Sequence, residues 1–390
     1  MTIMGIVSYK VFPAYMGGQK GVAKFYEYLS TKNETILVTA KENEEADFLS
    51  THIEHSSLRD SCNDDKNTFN QYNFLFNHNW GWLNIFYINK LVYLIRQHKV
   101  DVIIIEHSYF GWLGILLKTF TGKPFVIHSH NIEAYRFKQA NKFWWKLYEQ
   151  YEKFVHAKAN HVFYKTIEDA TYAKTVWQLK NNAYTIIPFG TDLQTIPLSA
   201  DKQTCRNLVC KKHNINLNDV IFLFNGTLDF QPNIHSIEII INEITPLLLQ
   251  SNLQYKIIIC GNRIQENLLQ QIKNCKNLIY AGFVNDIDLY VKAADAFIVP
   301  SSLATGIKTK IIEALANNTL VIAHEENTKG IDVSILNNKL IPIKTNSSNA
   351  FSEVMLKTKL LKNEDTPQLF YATYYWNNII NKAILSLQNL

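Results

Sequence analysis

The sequence predicts an α/β fold of two Rossmann-like domains. Its 390 residues exceed what one hydrophobic core ordinarily serves. Short continuous apolar runs alternate with segments of helical spacing, which is typical of a parallel sheet covered by helices. This alternation stops at a polar stretch near the middle of the chain and then begins again. The chain therefore divides into two halves of the same class.

The first half begins with a strand, a glycine loop and a helix. Ile3 to Tyr9 is an apolar, β-branched run, and Gly17-Gly18-Gln19-Lys20-Gly21 leads into helical spacing from Val22 to Leu29. Four further short strands are predicted at residues 35–38, 102–105, 125–128 and 161–164. These elements predict an N-terminal Rossmann-like domain over residues 1–190.

The second half repeats the pattern. A strand at 185–187 and the turn Pro188 to Asp192 precede a polar stretch, and a new strand follows at Val220 to Phe224. Further strands are predicted at residues 255–260, 278–281, 296–299 and 320–323. They predict a C-terminal Rossmann-like domain over 191–368. The terminal segment 369–390 is an apolar helix that we expect to pack back on the N-terminal domain.

The composition is that of a soluble cytoplasmic protein. Apolar residues make up 47% and charged residues 19%, and no apolar run reaches the roughly 18 residues that span a bilayer. The N-terminus lacks the features of a signal peptide. The five cysteines show no zinc spacing, which predicts reduced thiols. A net charge of +5 suits an anionic small molecule or an anionic membrane surface better than nucleic acid.

The loop and helix after the strand at 296–299 predict a phosphate site, because ligands of open α/β sheets bind beyond the carboxyl ends of the strands. The loop contains Gly306, and the helix that begins near it carries Lys308, Lys310 and Glu313. A glycine loop that opens a helix presents N–H groups and a positive dipole end to a diphosphate. The carboxylate of Glu313 can accept paired hydrogen bonds from ribose hydroxyls. Alone, the segment is equally compatible with an ordinary surface helix.

Together with three other loops, this segment resembles the C-terminal domain of the retaining group 1 (family 4) glycosyltransferases. The other loops are 224–233, 258–262 and 281–284, and their order, spacing and strand context match over most of residues 180–330. The resemblance implies the GT-B fold, in which two Rossmann-like domains face each other across a deep cleft. It also implies a sugar transferase that uses a nucleotide diphosphate donor.

The resemblance implies donor-side roles for residues of this half. Glu313 is expected to bind the ribose, and Gly306 to Lys308 are expected to bind the diphosphate and the donor sugar. The loops at Gly261 and Phe283-Val284 are expected to hold the base, mainly through backbone groups. The predicted donor-binding residues are Gly226, Thr227, Asn233, Gly261, Asn262, Phe283, Val284, Thr305, Gly306, Ile307 and Lys310.

Two departures from the family pattern change the charge near the donor. Thr305 stands where the wider family carries an acidic residue. Thr227 and Pro232-Asn233 stand where it carries an arginine and a lysine. We therefore hypothesise that Lys308, helped by Lys310, supplies the positive charge on the diphosphate leaving group.

The first half carries the acceptor-side features. The loop Ser129 to Tyr135 resembles the family's His-Asn-x-Glu loop, which implies that His130 faces the donor sugar and that Asn131 and Glu133 shape the acceptor side. We expect the neighbouring His128 to be structural. Similar Gly-Gly loops occupy the acceptor side in the family, although a bare turn is the alternative. The predicted acceptor-binding residues are therefore Gly17, Gly18, Gln19, Lys20, Asn131 and Glu133.

The predicted reaction moves a hexosyl unit from a UDP- or GDP-linked sugar to a glycan or lipid-linked acceptor, with retention at the anomeric carbon. Its setting would be cell-surface polysaccharide or lipopolysaccharide synthesis. His130, Lys308 and Glu313 are the predicted catalytic residues. No metal, cofactor or nucleic acid is expected beyond the nucleotide-sugar co-substrate. Asp286-Ile287-Asp288 matches the DxD pattern of metal-dependent transferases, but the helical segment that follows favours a helix cap.

Three alternatives stay open. A nucleotide-sugar epimerase would share the diphosphate loop, although Thr305 weakens its case because epimerisation needs carboxylates near the sugar. A catalytically degenerate sugar-binding protein of the same fold is consistent with the missing charged residues. The third alternative concerns two aromatic segments, the aromatic residues among lysines at 138–158 and the stretch 72–93. They either pack in the core, which we favour, or rest on the inner face of the membrane.

Overall fold

The computed structural model describes residues 1–14, 17–39, 49, 51–54, 85–179, 183–303, 308–344, 347–361 and 364–390. They form two compact units. The first unit is Met1–Phe189 with Trp376–Leu390, and the second unit is Gly190–Tyr375. The terminal segment predicted from residue 369 is thus divided between the units at Trp376. No helix in the described ranges is long and apolar enough to cross a bilayer.

A parallel sheet forms the centre of the first unit. Its strands are β1 (Thr2–Ile6), β2 (Glu34–Thr39), β3 (Thr51–Glu54), β4 (Val102–Glu106), β5 (Phe125–Ser129), β6 (His161–Tyr164) and β7 (Tyr184–Ile186). Their order across the sheet is β3-β2-β1-β4-β5-β6-β7, and all neighbours pair in parallel.

A second parallel sheet forms the centre of the second unit. Its strands are β8 (Val220–Asn225), β9 (Tyr255–Cys260), β10 (Leu278–Gly282), β11 (Ala296–Val299), β12 (Leu320–His324) and β13 (Leu340–Ile343). Their order is β10-β9-β8-β11-β12-β13. Each unit is therefore a Rossmann-like domain, and the predicted α/β class is confirmed.

Helices connect the strands of both sheets. In the first unit they are α1 (Gly17–Ser30), α2 (Ile85–Gln97), α3 (Gly111–Thr121), α4 (Glu133–Gln139), α5 (Trp145–Lys158) and α6 (Ile167–Thr175). In the second unit they are α7 (Ser199–His213), α8 (Gln231–Ile239), α9 (Thr245–Leu249), α10 (Glu266–Lys273), α11 (Ile287–Ala293), α12 (Thr309–Ala316), α13 (Ser348–Leu356) and α14 (Gln368–Tyr374). The last helix, α15 (Trp376–Gln388), lies against α1 in the first unit.

Both faces of each sheet are covered, which explains why the strands read as continuous apolar runs. In β4, Ile103 and Ile105 join one core cluster, whereas Val102 and Ile104 join another. This alternation follows from the two-residue period of a strand. The side chains of strand β8 alternate between two other core clusters in the same way.

The strands predicted from apolar runs are all present, and two strands were missed. Strand β3 has the polar sequence Thr-His-Ile-Glu, and β13 contains Pro342. Both lie at an edge of their sheets among the described strands. Edge strands tolerate polar residues and proline because one side makes no ladder hydrogen bonds. Their sequences therefore give a weak strand signal.

Candidate functional site

Three loops at the carboxyl edge of the second sheet are tied together through their backbones. Gly226, after β8, donates its N–H to the carbonyl of Cys260 (3.1 Å), and Gly261, after β9, donates to the carbonyl of Gly282 (2.8 Å). A side chain at Gly261 would place its Cβ 2.0 Å from the carbonyl oxygen of Gly226. Glycine is therefore required where these two predicted donor-binding residues meet.

The ammonium of Lys310 braces this edge. Its Nζ donates to the carbonyl of Asn225 (2.9 Å) and to Oδ1 of Asn233 (3.1 Å), and it lies 4.4 Å from the centre of the Phe224 ring. Asn233 in turn donates Nδ2–H to the carbonyl of Thr227 (2.9 Å). The structure thus brings together three predicted donor-binding residues, Lys310, Asn233 and Thr227. Sequence reasoning did not foresee that the lysine holds the loop after β8.

Helix α12 begins at Thr309, three residues later than the start predicted near Gly306. Lys308 is the N-cap residue, and its backbone is extended, with φ −89° and ψ 95°. Glu313 lies in the second turn and is half-buried. The predicted donor-binding residues Thr305, Gly306 and Ile307 lie outside the described residues, so their roles stay predictions.

Burial weakens the proton affinity of both lysines at this helix end. It lowers the pKa of Lys308 to about 8. For Lys310, burial and then the neighbouring charge of Lys308 lower the pKa to about 7, against the opposing effect of Glu313. Two partly buried ammonium groups beside a helix N-terminus form a positive site that an anion would stabilise.

The remaining predicted donor-binding residues follow β9 and β10. Phe283 is 65% exposed and comes directly after Gly282, whose φ of 71° turns the chain out of the strand. Val284 is half-buried against the core of this unit. Asn262 is exposed, and its carbonyl accepts the N–H of Leu228 (2.9 Å). Their contact with a base stays a prediction.

Two further polar residues hold the loop after β11, and sequence reasoning missed them. Ser301 is buried, and its Oγ lies 2.8 Å from Nδ1 of His235 on α8. The same Oγ accepts the N–H of Leu303 (3.0 Å). In the sequence, only its place just after a strand marks Ser301 as a candidate site residue. Nothing marks His235, because it lies in a segment with an ordinary helical sequence.

A second polar cluster lies at the carboxyl edge of the first sheet. Glu106, the last residue of β4, accepts hydrogen bonds at Oε1 from Tyr26 Oη (2.9 Å) and His128 Nδ1 (3.0 Å), and at Oε2 from His130 Nε2 (2.6 Å). Glu106 and His128 are fully buried, and His130 is 4% exposed. The structure therefore places the predicted catalytic His130 in a network with Glu106, which the sequence did not single out.

Burial sets the protonation of this cluster. It lowers the pKa of His128 to about 4, and burial with the neighbouring His107 holds the pKa of His130 well below its usual value. Burial alone would raise the pKa of Glu106, but His128 and His130 outweigh it and hold that pKa well below the usual range. Near neutral pH the cluster therefore combines an ionised carboxylate with two neutral imidazoles.

Glu133, predicted to shape the acceptor side, is buried in internal contacts. Its Oε1 lies 3.2 Å from His107 Nδ1, and its Oε2 lies 3.2 Å from Arg136. Burial would raise the pKa of Glu133, but Arg136 and His107 outweigh it and lower the pKa to about 2. Asn131 is half-exposed, and its carbonyl accepts the hydroxyl hydrogen of Ser129 (3.0 Å). The acceptor roles of Glu133 and Asn131 stay predictions.

The residues predicted to form a glycine loop instead form the first turn of a helix, so the predicted local structure was wrong. Helix α1 begins at Gly17 and includes Gly18, Gln19 and Lys20. Gln19 donates Nε2–H to the carbonyl of Lys10 (3.0 Å). A Cβ at Gly21 would fall 2.0 Å from the ring of Phe189. This glycine therefore makes room for an aromatic ring, and the acceptor role of the preceding four residues stays a prediction.

Two sets of side chains have the residue types that could bind a metal ion. The ligand-type atoms of Glu106, His128 and His130 lie within 4.8 Å of one another. Their contacts of 2.6 and 3.0 Å are hydrogen-bond distances, whereas ligands of a tetrahedral metal at about 2.1 Å would lie about 3.4 Å apart. In the DxD segment, Asp286 Oδ1 accepts the N–H of Leu289 (3.0 Å) and caps α11. The predicted helix cap is confirmed.

Comparisons with known families place most of the chain in two matched regions. Residues 219–358 match the model for glycosyl transferases group 1, and residues 28–195 match the model for glycosyltransferase family 4. The Escherichia coli UDP-Gal:alpha-D-GlcNAc-diphosphoundecaprenol alpha-1,3-galactosyltransferase is 24% identical over 233 residues. The match covers 58% of this chain and 58% of that protein, less than two thirds of the relative's length.

Solved structures resemble the chain over its whole length. The sucrose-phosphate synthase of Thermosynechococcus elongatus superposes with a TM-score of 0.73 at 17% identity, covering 100% of this chain and 99% of the other. HepE of Anabaena, solved in complex with UDP, gives a TM-score of 0.68 at 15% identity and covers 100% of both chains. Likeness at such low identity shows a shared fold.

Proposed function

This chain belongs to the group 1 glycosyltransferases and has their GT-B fold of two Rossmann-like domains, and we propose that it transfers a hexosyl unit from a nucleotide diphosphate sugar to a lipid-linked acceptor. One observation carries the proposal. Lys308 and Lys310 lie at the N-terminus of α12, and Lys310 fastens that end to the glycine loop after β8. A positive helix end beside closely packed backbone is suited to a diphosphate.

We propose UDP as the nucleotide. The Escherichia coli relative is named for a UDP-galactose donor, and HepE was solved with UDP. In this chain the ring of Phe283, which is 65% exposed, comes directly after β10, and the half-buried Gly261 comes directly after β9. Such a surface can hold a planar base by stacking and by backbone hydrogen bonds, and Glu313 would take the ribose hydroxyls.

The chemistry we propose is electrostatic and needs no metal. As the bond to the diphosphate breaks, positive charge develops at the anomeric carbon and negative charge on the departing phosphate. Lys308 and the N-terminus of α12 would stabilise that phosphate. We propose retention at the anomeric carbon, with an oxygen of the leaving phosphate accepting the acceptor's proton on the same face.

The test is a transfer assay with UDP- and GDP-hexoses and a polyprenyl diphosphate-linked sugar, run with and without EDTA. We expect release of UDP that depends on the acceptor, a product with retained anomeric configuration by NMR, and no loss of rate with EDTA. Conversion of the donor without an acceptor would instead identify an epimerase. Tight UDP binding with no turnover on any acceptor would identify an inactive binding protein.

The lowered pKa values of the two lysines predict that UDP affinity depends on pH. Both side chains attract the diphosphate only when charged, and they lose their protons as the pH rises through about 7 (Lys310) and about 8 (Lys308). We expect UDP to bind on the order of 10-fold more weakly at pH 9 than at pH 6.5, with proton uptake near pH 7.5. Calorimetry in buffers of different ionisation enthalpy measures both effects, and an affinity that is constant from pH 6.5 to 9 would contradict them.

We also propose that helix α5 rests on an anionic membrane surface that carries the acceptor. Phe143, just before the helix, is 85% exposed, and Leu147 and Phe154 are 74% and 52% exposed. Leu147 and Phe154 are seven residues apart, so they share one face. Core packing, which we favoured from the sequence, holds for the buried Trp144 and Tyr148 but not for these three. The basic residues beside them are Lys138, Lys142, Lys146, Lys153 and Lys158.

The double variant Phe143→Ser/Leu147→Ser is expected to bind anionic vesicles about 10-fold more weakly, because two exposed apolar side chains no longer enter the interface. Co-sedimentation with vesicles of phosphatidylglycerol and phosphatidylcholine measures the change. Leu360→Ser, which alters a residue 84% exposed in the second unit, is the matched control. If both variants and the unaltered chain bound the vesicles equally, these exposed apolar side chains at α5 would not be the membrane contact.

A further inference from the structure

Glu106 is a carboxylate with three donors from three places in the chain. Tyr26 reaches it from α1, His128 from within β5, and His130 from the loop after β5. Glu106 is fully buried at the end of β4, and among the described residues these three donate the hydrogen bonds to its two oxygens. The carboxylate is therefore held in one orientation.

The directions of these hydrogen bonds follow from the charges. An ionised carboxylate only accepts hydrogen bonds, so Nδ1 of His128 and Nε2 of His130 must each carry the hydrogen. The other ring nitrogen of His128 supports the assignment of its hydrogen to Nδ1, because Nε2 is buried without a hydrogen-bond partner in the described part of the chain. A second proton there would bury an unpaired N–H cation, which is costly. Each ring is thus a neutral imidazole of one defined tautomer.

Packing fixes the ring plane of His130 as well. The ring of His107 stacks on it at 4.2 Å with an interplanar angle of 17°, and His128 lies at 4.7 Å. With Nε2 bound to Glu106, the lone pair on Nδ1 is the only hydrogen-bond acceptor that the ring retains. Among the hydrogen bonds of the residues that the structure describes, the ring of His130 makes one, from Nε2 to Glu106.

We propose that Glu106 is a positioning residue that fixes His130 as the Nε2–H tautomer, so that Nδ1 accepts a hydrogen bond from a hydroxyl of a sugar substrate. This inference rests on the proposed transfer reaction. Glu106 itself does not touch substrate. Its role is to make Nδ1 an acceptor, which selects a sugar substrate that offers a hydroxyl at that place and disfavours one that offers only an acceptor.

The first test needs no substitution of Glu106 and no turnover. Nitrogen-15 NMR of the ring nitrogens, assigned by comparison with His130→Gln, is expected to show a protonated Nε2 and an unprotonated Nδ1 for His130 from pH 6 to 8. A protonated Nδ1, or an imidazolium, would overturn the proposal. Because this readout does not depend on transfer, an inactive chain with the expected tautomer would contradict the proposed function and leave the Glu106 contact intact.

The second test is the variant Glu106→Gln. A glutamine amide donates as well as accepts, so it permits the opposite tautomer of His130. We expect kcat to fall about 100-fold, comparable to the loss when the hydrogen-bond partner of a metal-binding histidine is removed. KM for the donor should change less than about 3-fold, and the NMR signature should change. Glu106→Asp should restore part of kcat. Equal kcat in Glu106→Gln and the unaltered chain would overturn the proposal.

Two controls separate positioning from general damage to the fold. Tyr26→Phe removes one donor to Glu106 but leaves the bond to His130, so the His130 tautomer should persist. Glu149→Gln alters a partly buried carboxylate on α5 that accepts from Tyr172 (2.6 Å) and lies outside the network. It should leave both the tautomer and kcat unchanged, and a loss of kcat equal to that of Glu106→Gln would contradict the proposal.

Discussion

Lys308→Ala is expected to lower kcat/KM for the nucleotide-sugar donor about 100- to 1000-fold, the usual loss when one group that stabilises a developing anion is removed. Lys308 is the N-cap residue of α12, and burial lowers its pKa to about 8. Near pH 7 its ammonium is therefore mostly charged and partly shielded from water, where an ion pair with phosphate is stronger than at an exposed site. Steady-state kinetics with the best donor measures the loss.

The controls for Lys308→Ala separate charge on the diphosphate from support of the loop. Lys273→Ala removes an exposed lysine at the end of α10 in the same unit, and full activity is expected. Lys310→Ala removes the brace to Asn225 and Asn233, so it should lower stability as well as activity. Full turnover of Lys308→Ala would remove Lys308 from the mechanism and leave the helix N-terminus as the phosphate site.

Much of the fold could be predicted because buried parallel strands leave a direct signal. A strand covered on both faces must be apolar at every position, as in Val102 to Ile105, and such runs are rare elsewhere in the chain. The donor loops could be predicted because glycines that permit close backbone approach lie at fixed offsets from those strands. Gly226 and Gly261 follow β8 and β9 directly.

The first-unit cluster could not be predicted in full, because its members look ordinary one at a time. Glu106 ends an apolar run, as polar residues at strand ends often do, and it is separated by 22 and 24 positions from His128 and His130. Lys165 looks equally ordinary in the sequence. It is buried directly after β6, and this burial lowers its pKa to about 7. Only the pairing of β4, β5 and β6 places these residues together. A charged residue at the carboxyl end of a buried strand is the signal that could have found them.

Helix starts were the least accurate part of the prediction, for two physical reasons. At α1 the glycines suggested a loop, but Gly21 is there to admit the ring of Phe189, and the helix begins at Gly17. At α12 the glycine suggested an early start, but the extended backbone of Lys308 delays it to Thr309. In both places long-range packing or a single backbone dihedral, rather than local propensity, decides the boundary.

Gly261→Ala is expected to destabilise the second unit by about 3 kcal/mol or more and to abolish measurable UDP binding. Its φ of 154° lies in a region that side chains rarely adopt, which costs about 1–3 kcal/mol. The added Cβ would also lie 2.0 Å from the carbonyl oxygen of Gly226 and 2.8 Å from the side chain of Leu228. Backbone cannot move aside as a flexible side chain can, so the loops after β8 and β9 must separate. Urea denaturation and calorimetry with UDP measure the two losses.

Gly282→Ala is the matched control for this prediction, because it lies in the same unit and also has a positive φ of 71°. A Cβ there meets nothing within 4 Å, so only the backbone conformation is penalised, by about 1–2 kcal/mol. The difference between the two variants therefore measures the steric cost of parting the loops. If Gly261→Ala were as stable as Gly282→Ala and bound UDP equally well, the close approach of Gly226 and Gly261 would not be what shapes the donor site.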